Sequence, residues 1–233
     1  MPWSWTPDSK QVLFGSDRDG SFHIFRQAPD QTTPELLVGG NEQSMLSRLT
    51  PDGKNLLYLQ YRQAFDSSNG VRMMRIPVAG GPPRLLMEVH GLTNEQCARH
   101  PASLCLYSVA GDKRLTFMSF DPMQGTGQEV THIDDDLPYA YNWSLSPDGS
   151  TLAVAKSNKL DIIVQPVIRL LTLKDGKERR IALKEWSSIN ALDWAAEGKD
   201  LWVSASTTTG TNALLHVDLQ GRARPGWEQT KMA

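Results

Sequence analysis

Apolar residues recur at every second position in short runs along this chain, and each run follows a polar break of similar make-up. In "LSPDGSTLAV" the break is Ser146-Pro147-Asp148-Gly149 and the run is Thr-Leu-Ala-Val. Period-two alternation puts the apolar side chains on one face, so the run predicts a half-buried β-strand. The break predicts a tight turn, because proline presets its φ near about −65° and glycine accepts the positive φ that follows.

The break recurs. Pro7-Asp8-Ser9, Pro51-Asp52-Gly53, Pro147-Asp148-Gly149 and Ala196-Glu197-Gly198 each precede an apolar run, and Pro101-Ala102-Ser103 is a weaker copy. The first turn positions lie 44, 50, 46 and 49 residues apart, a period that marks a repeat architecture. Two residues before them stand Trp5, Leu49, Arg99, Leu145 and Trp194, and four before stand Trp3, Ser47, Cys97, Trp143 and Leu192. Five after come Val12, Leu56, Leu106, Leu152 and Leu201, then Phe14, Tyr58, Ser108, Val154 and Val203 two further on. Each turn thus joins two strands that share a buried face. Two more strand-like runs follow in every copy, such as "FHIFRQA" and "PELLV" in the first.

Four strands in forty-odd residues, repeated, predict an all-β fold: a β-propeller of five recognisable four-stranded blades. The blades fall at about 3–38, 45–89, 94–133, 141–183 and 189–229, within one propeller region spanning 1–233. The first copy opens on its own first strand, "WSW", and the fifth ends on its own fourth, near "PGWEQ". Neither has a spare strand to lend the other. The pattern therefore predicts an incomplete ring, either an open arc with exposed first- and fifth-blade faces or a strained closure. The abrupt start at Met1 reads as a cut from a longer protein.

The repeat also decides what Asp148 is. Its counterparts are Asp8, Asp52, Glu197 and, in the weak copy, Ala102. A catalytic group is not normally copied along one chain, whereas aspartate at a turn has a local hydrogen-bonding role. Pro7, Asp8, Pro51, Asp52, Gly53, Pro101, Pro147, Asp148, Gly149, Glu197 and Gly198 are accordingly expected to be structural.

The "SPDG" turn before an aliphatic strand resembles the TolB-type (WD40-like) propeller repeat. The segments "CARHPASLCLY", "LTFMSFDPMQGTGQEV" and "YNWSLSPDGSTLAVA" through "DWAAEGKDLWVS" are similar to the propeller regions of acidobacterial multidomain signalling proteins. In those proteins a serine/threonine kinase or winged-helix domain precedes the propeller. The resemblance covers nearly the whole chain and implies the fold. It implies no kinase or DNA-binding activity, since neither effector domain is in this sequence. It favours a periplasmic location, because the propeller in such relatives often follows a membrane segment.

Composition changes the picture little. At 233 residues, with 39% hydrophobic and 21% charged residues, the chain can bury a substantial core, and the composition argues against disorder. No apolar run approaches the ~20 residues of a membrane helix, and "MPWSWTPDSK" lacks the basic and apolar regions of a signal peptide. A net charge of −2 gives no general attraction for nucleic acid.

Candidate chemistry is sparse. The sequence has no G-x-S-x-G nucleophile elbow, no G-x-x-x-x-G-K-[ST] loop and no kinase H-R-D or D-F-G set. His23, His90, His100, His132 and His216 are scattered singly, without zinc-site spacing. Asp134, Asp135 and Asp136 carry oxygens that suit calcium, but without a spaced ligand series they read as a solvated inter-blade loop. Asp17 and Asp19 resemble a fragment of a calcium loop and read as a tight turn. Arg99 and His100 fall where other copies carry Trp or Leu and Thr, Ser or Ala. They mark either a polar lining or a locally irregular blade.

Cys97 and Cys105 flank Pro101 four residues either side. With a three-residue hairpin loop they oppose each other at disulfide distance, whereas in the register of the glycine-containing turns they are diagonal neighbours. A disulfide and two buried thiols both remain open.

The expectation is a non-catalytic binding or sensor module without cofactor or metal, taking a protein partner or small ligand at a propeller face or channel. The alternative is a propeller associated with a hydrolase, either lactonase-like with a channel metal or the gating domain of a peptidase. A pure assembly scaffold, marked by a large apolar patch, is the third class.

Overall fold

The computed structural model describes residues 2–62, 70–111, 113–125, 127–134, 140–157 and 165–230. These form twenty strands in five four-stranded antiparallel sheets, an all-β fold of propeller blades, each a sequential meander. The chain divides into two compact units, Met1–Cys97 with Ser103–Asp134, and Ala98–Ala102 with Asp135–Ala233.

The first unit holds three blades. Blade 1 comprises β1 (Pro2–Trp5), β2 (Val12–Ser16), β3 (His23–Gln27) and β4 (Glu35–Val38). Blade 2 comprises β5 (Gln43–Leu49), β6 (Asn55–Tyr61), β7 (Val71–Pro77) and β8 (Arg84–Val89). Blade 3 comprises β9 (Leu92–Cys97), β10 (Cys105–Ala110), β11 (Arg114–Phe120) and β12 (Glu129–Asp134). The second unit holds blade 4, with β13 (Ala140–Leu145), β14 (Thr151–Ser157), β15 (Val167–Thr172) and β16 (Glu178–Ala182). Blade 5 has β17 (Ser188–Trp194), β18 (Asp200–Ser206), β19 (Thr211–Asp218) and β20 (Ala223–Thr230).

Strand alternation gives each blade two faces, and within each unit the cores lie between consecutive blades. Leu13, Ile24 and Val38 of blade 1 pack against Leu56, Tyr58, Met74 and Ile76 of blade 2. The other face of blade 2, with Leu57, Leu59, Val71 and Met73, meets Leu92, Cys105 and Phe120 of blade 3. In the second unit Ala153, Ala155, Ile168 and Leu170 of blade 4 meet Trp194, Leu201, Val203 and Leu215 of blade 5. The residue six after the first turn position faces the next blade in blades 1, 2 and 4 (Leu13, Leu57 and Ala153), and those five and seven after face the preceding one in blades 2 and 5; in blade 3, Cys105 and Tyr107 face the preceding blade. Burial of these apolar faces is the main stabilising term.

The first two strands of four blades keep one register: Trp5 pairs Val12, Leu49 pairs Leu56, Leu145 pairs Leu152 and Trp194 pairs Leu201. The third value of the turn needs positive φ, supplied by Gly53 (68°), Gly149 (73°) and Gly198 (69°), and in blade 1 by Ser9 (57°).

Blade 3 departs from this register. Cys97 pairs with Cys105 and Glu95 with Tyr107, and the connection between β9 and β10 runs over 98–104. Its turn closes where Ala102 N donates to Arg99 O, ahead of the 101–103 position expected. Alignment on Pro101 consequently misplaces this blade. Cys97, not Arg99, takes the strand place of Leu49 and Trp194. Arg99 and His100 lie in the connection and are exposed.

Candidate functional site

The repeated aspartates are committed to their turns. Asp148 Oδ1 accepts from the Ser146 hydroxyl at 2.6 Å and from Ser150 N at 3.0 Å, while Ser146 Oγ accepts from Thr151 N at 2.9 Å. Thr50 and Asp52 repeat the arrangement at 2.6 and 3.0 Å, and Thr6 and Asp8 at 2.7 and 3.1 Å. The hydroxyl donor, first among the causes, holds each of the three carboxyls below the usual aspartate range. Blade 5 has Ala195 in place of the hydroxyl residue, and its Glu197 instead pairs with Lys199 at 3.0 Å.

Other acidic and histidine candidates have local partners too. Gly20 N donates to Asp17 O at 2.8 Å, closing a turn beside Asp19. Asp134 pairs with Arg114 at 2.8 Å, whereas Asp135 and Asp136 lie outside the described residues. His23 Nε2 is 2.9 Å from Gly40 O, His132 Nδ1 is 2.8 Å from Glu129, and His216 Nε2 is 3.2 Å from Asp200. Among the described residues no three His, Cys, Asp or Glu side chains stand together as a metal site would require.

Cys97 and Cys105 are joined by a disulfide across the first strand pair of blade 3, with a Cα separation of 3.9 Å. The longer 98–104 connection brings them directly opposite, rather than a three-residue loop.

Two residues before Cys97, on the same strand face, stands Glu95. It is fully buried, and neither carboxyl oxygen has a hydrogen-bond partner among the described residues. In register it occupies the place of Trp143 in blade 4 and Leu192 in blade 5, both buried apolar side chains. Burial pushes its carboxyl up to about 8, against the opposing pull of Arg48 on β5. The carboxyl is therefore neutral at pH 7, as a buried group lacking compensating bonds should be. Tyr61 on β6 is pushed up to about 12, by burial first and by Glu95 second. Tyr107, directly across from Glu95, is raised by burial.

The strand that brings Arg48 to this place is irregular. Its pairing with β6 slips between Met45 and Arg48, and Leu46 inside the slip has φ 54°. Positive φ in a leucine is a strained conformation that surrounding structure must hold. Ser44 Oγ and Ser47 Oγ of the same strand are buried without partners among the described residues. An unpartnered carboxyl, a nearby guanidinium and a strained bulge thus converge where blade 2 meets blade 3. Such a group can take up and release a proton near neutrality.

Glu95 did not stand out in the sequence, since the Pro101 alignment put Cys97 in its column. The signal that could have found it is a carboxylate two residues before a paired cysteine on an alternating strand.

A second polar feature lies on blade 5. Asp200, His216, Asp218, Gln220, Arg222 and Arg224 line an open cleft of about 290 Å³. The Trp202 ring lies 4.9 Å from that of His216, and Asp218 pairs with Arg222 at 2.6 Å.

No protein-family model matches the chain, and no curated protein matches it in sequence. Solved structures do resemble it. TolB from Acinetobacter baumannii aligns with a TM-score of 0.74 at 13% identity, over 93% of this chain and 52% of that one. A TolB of Agrobacterium tumefaciens aligns with a TM-score of 0.71 at 16% identity, over 98% and 80%. An oligogalacturonate lyase in complex with manganese aligns at 0.68 and 15% identity, over 97% and 64%. The chain thus spans about half of the first of these proteins. Likeness at this identity establishes a fold shared with TolB-like β-propellers.

Proposed function

We propose that the chain is a non-catalytic β-propeller module that binds a protein partner or small ligand, or senses its surroundings, within a larger bacterial signalling protein. One contrast carries this reading. The carboxylates repeated along the chain are held by their own turns, while Glu95 is enclosed, neutral at pH 7 and unpartnered among the described residues. A neutral, enclosed carboxyl suits proton-linked sensing better than nucleophilic attack or metal binding, both of which need the ionised form. Likeness to TolB-type propellers supports the reading at the level of fold. The Cys97–Cys105 disulfide supports a periplasmic location, because such bonds persist in oxidising compartments.

The test is a screen of the purified chain against esterase, lactonase, peptidase and phosphatase substrates, with calcium or zinc added. No turnover above background is expected. Turnover abolished by one Asp or His substitution would overturn the proposal and establish the hydrolase-associated alternative.

A further inference from the structure

Strand register sets the Cys97–Cys105 disulfide beside Glu95. On β9 the carboxylate stands two residues before Cys97, and on β10 its partner Tyr107 stands two residues after Cys105. Residues two apart share a strand face, so Glu95 and Tyr107 form one row of that face and the disulfide forms the next. Glu95 and Cys105 are thus diagonal neighbours, a separation that a long side chain can span.

The two sulfurs differ in surroundings. Cys105 is fully buried in an apolar cluster with Met45, Leu59 and Phe120, whereas Cys97 is only partly buried against it. Apolar burial raises the pKa of a thiol, and a thiolate of high pKa leaves slowly in thiol–disulfide exchange. An acid within reach of Cys105 removes that obstacle. Glu95 meets the requirement, being enclosed, protonated at pH 7 and unpartnered at both oxygens among the described residues. Arg48, Tyr61 and Tyr107 are the charged or titratable groups facing it among those residues. Burial raises both phenols, so neither takes its proton near neutrality.

We propose that the Cys97–Cys105 disulfide is a redox switch opened by a dithiol reductant, with Glu95 as the internal acid. The proposal deepens the sensor reading above and rests on it. One thiolate of the dithiol attacks the Cys97 sulfur, and the S–S bond breaks. Its electron pair goes to the Cys105 sulfur, which takes the Glu95 proton. The second thiolate of the dithiol then attacks the mixed disulfide and releases Cys97, which takes a proton from water. The dithiol ends oxidised to a disulfide, the protein ends with two thiols, and Glu95 regains its proton from solvent. Opening removes the cross-link between β9 and β10 where blade 2 meets blade 3.

Reduction of the intact chain by dithiothreitol, followed by alkylation and mass measurement, tests the proposal. Rates are divided by the concentration of dithiothreitol thiolate and compared between pH 6 and 9.5. The parent's normalised rate should be level at the acid end and fall about tenfold or more above about pH 8, as Glu95 loses the proton it donates. Glu95→Gln carries no acidic proton and should react on the order of a hundredfold more slowly at pH 7, with a level profile. A parent rate that stays level or rises with pH overturns the proposal. Reduction through unfolding would rise, because stability falls as Glu95 ionises. A Glu95→Gln chain reduced as fast as the parent at pH 7 overturns it too, and the parent's profile decides alone if that variant does not fold. Carbon-13 NMR of labelled glutamate follows the carboxyl separately. A Glu95 that titrates near 8 beside a level rate profile overturns the internal acid and leaves the sensor reading standing, whereas a Glu95 ionised at pH 7 overturns both.

Discussion

The Ser146 hydroxyl donates to Asp148 Oδ1 at 2.6 Å, and the same oxygen of Asp148 accepts from Ser150 N at 3.0 Å. One carboxylate oxygen therefore closes both sides of the turn. Asp148→Ala should lower stability by about 1 kcal/mol, the net worth of a typical hydrogen-bonded brace. Glu197→Ala, at the counterpart position, removes only a solvent-exposed pair with Lys199 and should change stability by less than about 0.5 kcal/mol. Urea unfolding of both variants measures the difference. Equal midpoints would mean that the brace carries no weight.

Pro7 and Gly53 make a second comparison between turns. A Cβ on Gly53 would stand 2.6 Å from Pro7 Cγ, and φ at Gly53 is 68°. The turn of blade 2 thus packs on that of blade 1 through a place where only glycine fits. Gly53→Ala should cost about 1 kcal/mol or more. Ser9 holds a φ of 57° at the matching place in blade 1, so Ser9→Gly should be neutral or stabilising by up to about 1 kcal/mol. Thermal midpoints moving the other way for either variant would refute the turn assignment.

The fold was legible because its repeat is carried by residues with local physical reasons. Proline and glycine preset turn dihedrals, and Leu56 and Leu201 return at one offset because each faces the preceding blade. Glu95 was not legible, and the cause is specific. The 98–104 connection is longer than its counterparts, and pairing register is a property of two strands that no single segment displays. Anchoring on Pro101 made Arg99 look like a strand residue and hid a carboxylate behind Cys97.

Cys97 and Cys105 are eight residues apart in sequence, so their disulfide closes a short loop. Loop-closure entropy for such a loop predicts stabilisation of about 2.5 kcal/mol. Replacing both cysteines by serine should lower the unfolding free energy by that amount, and dithiothreitol should do the same to the parent chain. The double variant should be insensitive to the reductant. A parent chain whose midpoint is unmoved by dithiothreitol would show that the bond adds nothing to stability.

Glu95 makes the last prediction, through proton linkage. Its carboxyl titrates at about 8 in the folded chain and near its ordinary 4.5 when unfolded. Between those values the folded state holds a proton that the unfolded state has released, so stability falls as pH rises. The contribution is complete below about 4.5, declines at up to about 1.4 kcal/mol per pH unit, and is gone above about 8. Among the described residues, Arg48 on β5, Tyr61 on β6 and Tyr107 on β10 are the charged or titratable groups that face it. The lowered carboxyls of Asp8, Asp52 and Asp148 act in the opposite sense and in another window. Their stabilisation is present above their ordinary 3.8 and is lost as pH falls through the lower folded values. Glu95→Gln keeps the shape of the neutral carboxyl and removes the titration. The variant should match the parent near pH 5 and exceed it at pH 8 by on the order of a few kcal/mol. Comparing the two chains by urea unfolding at each pH cancels the histidines, which they share. Parallel stability curves from pH 5 to 8 would mean that Glu95 is ionised in the folded chain and that its enclosure has no consequence for proton binding.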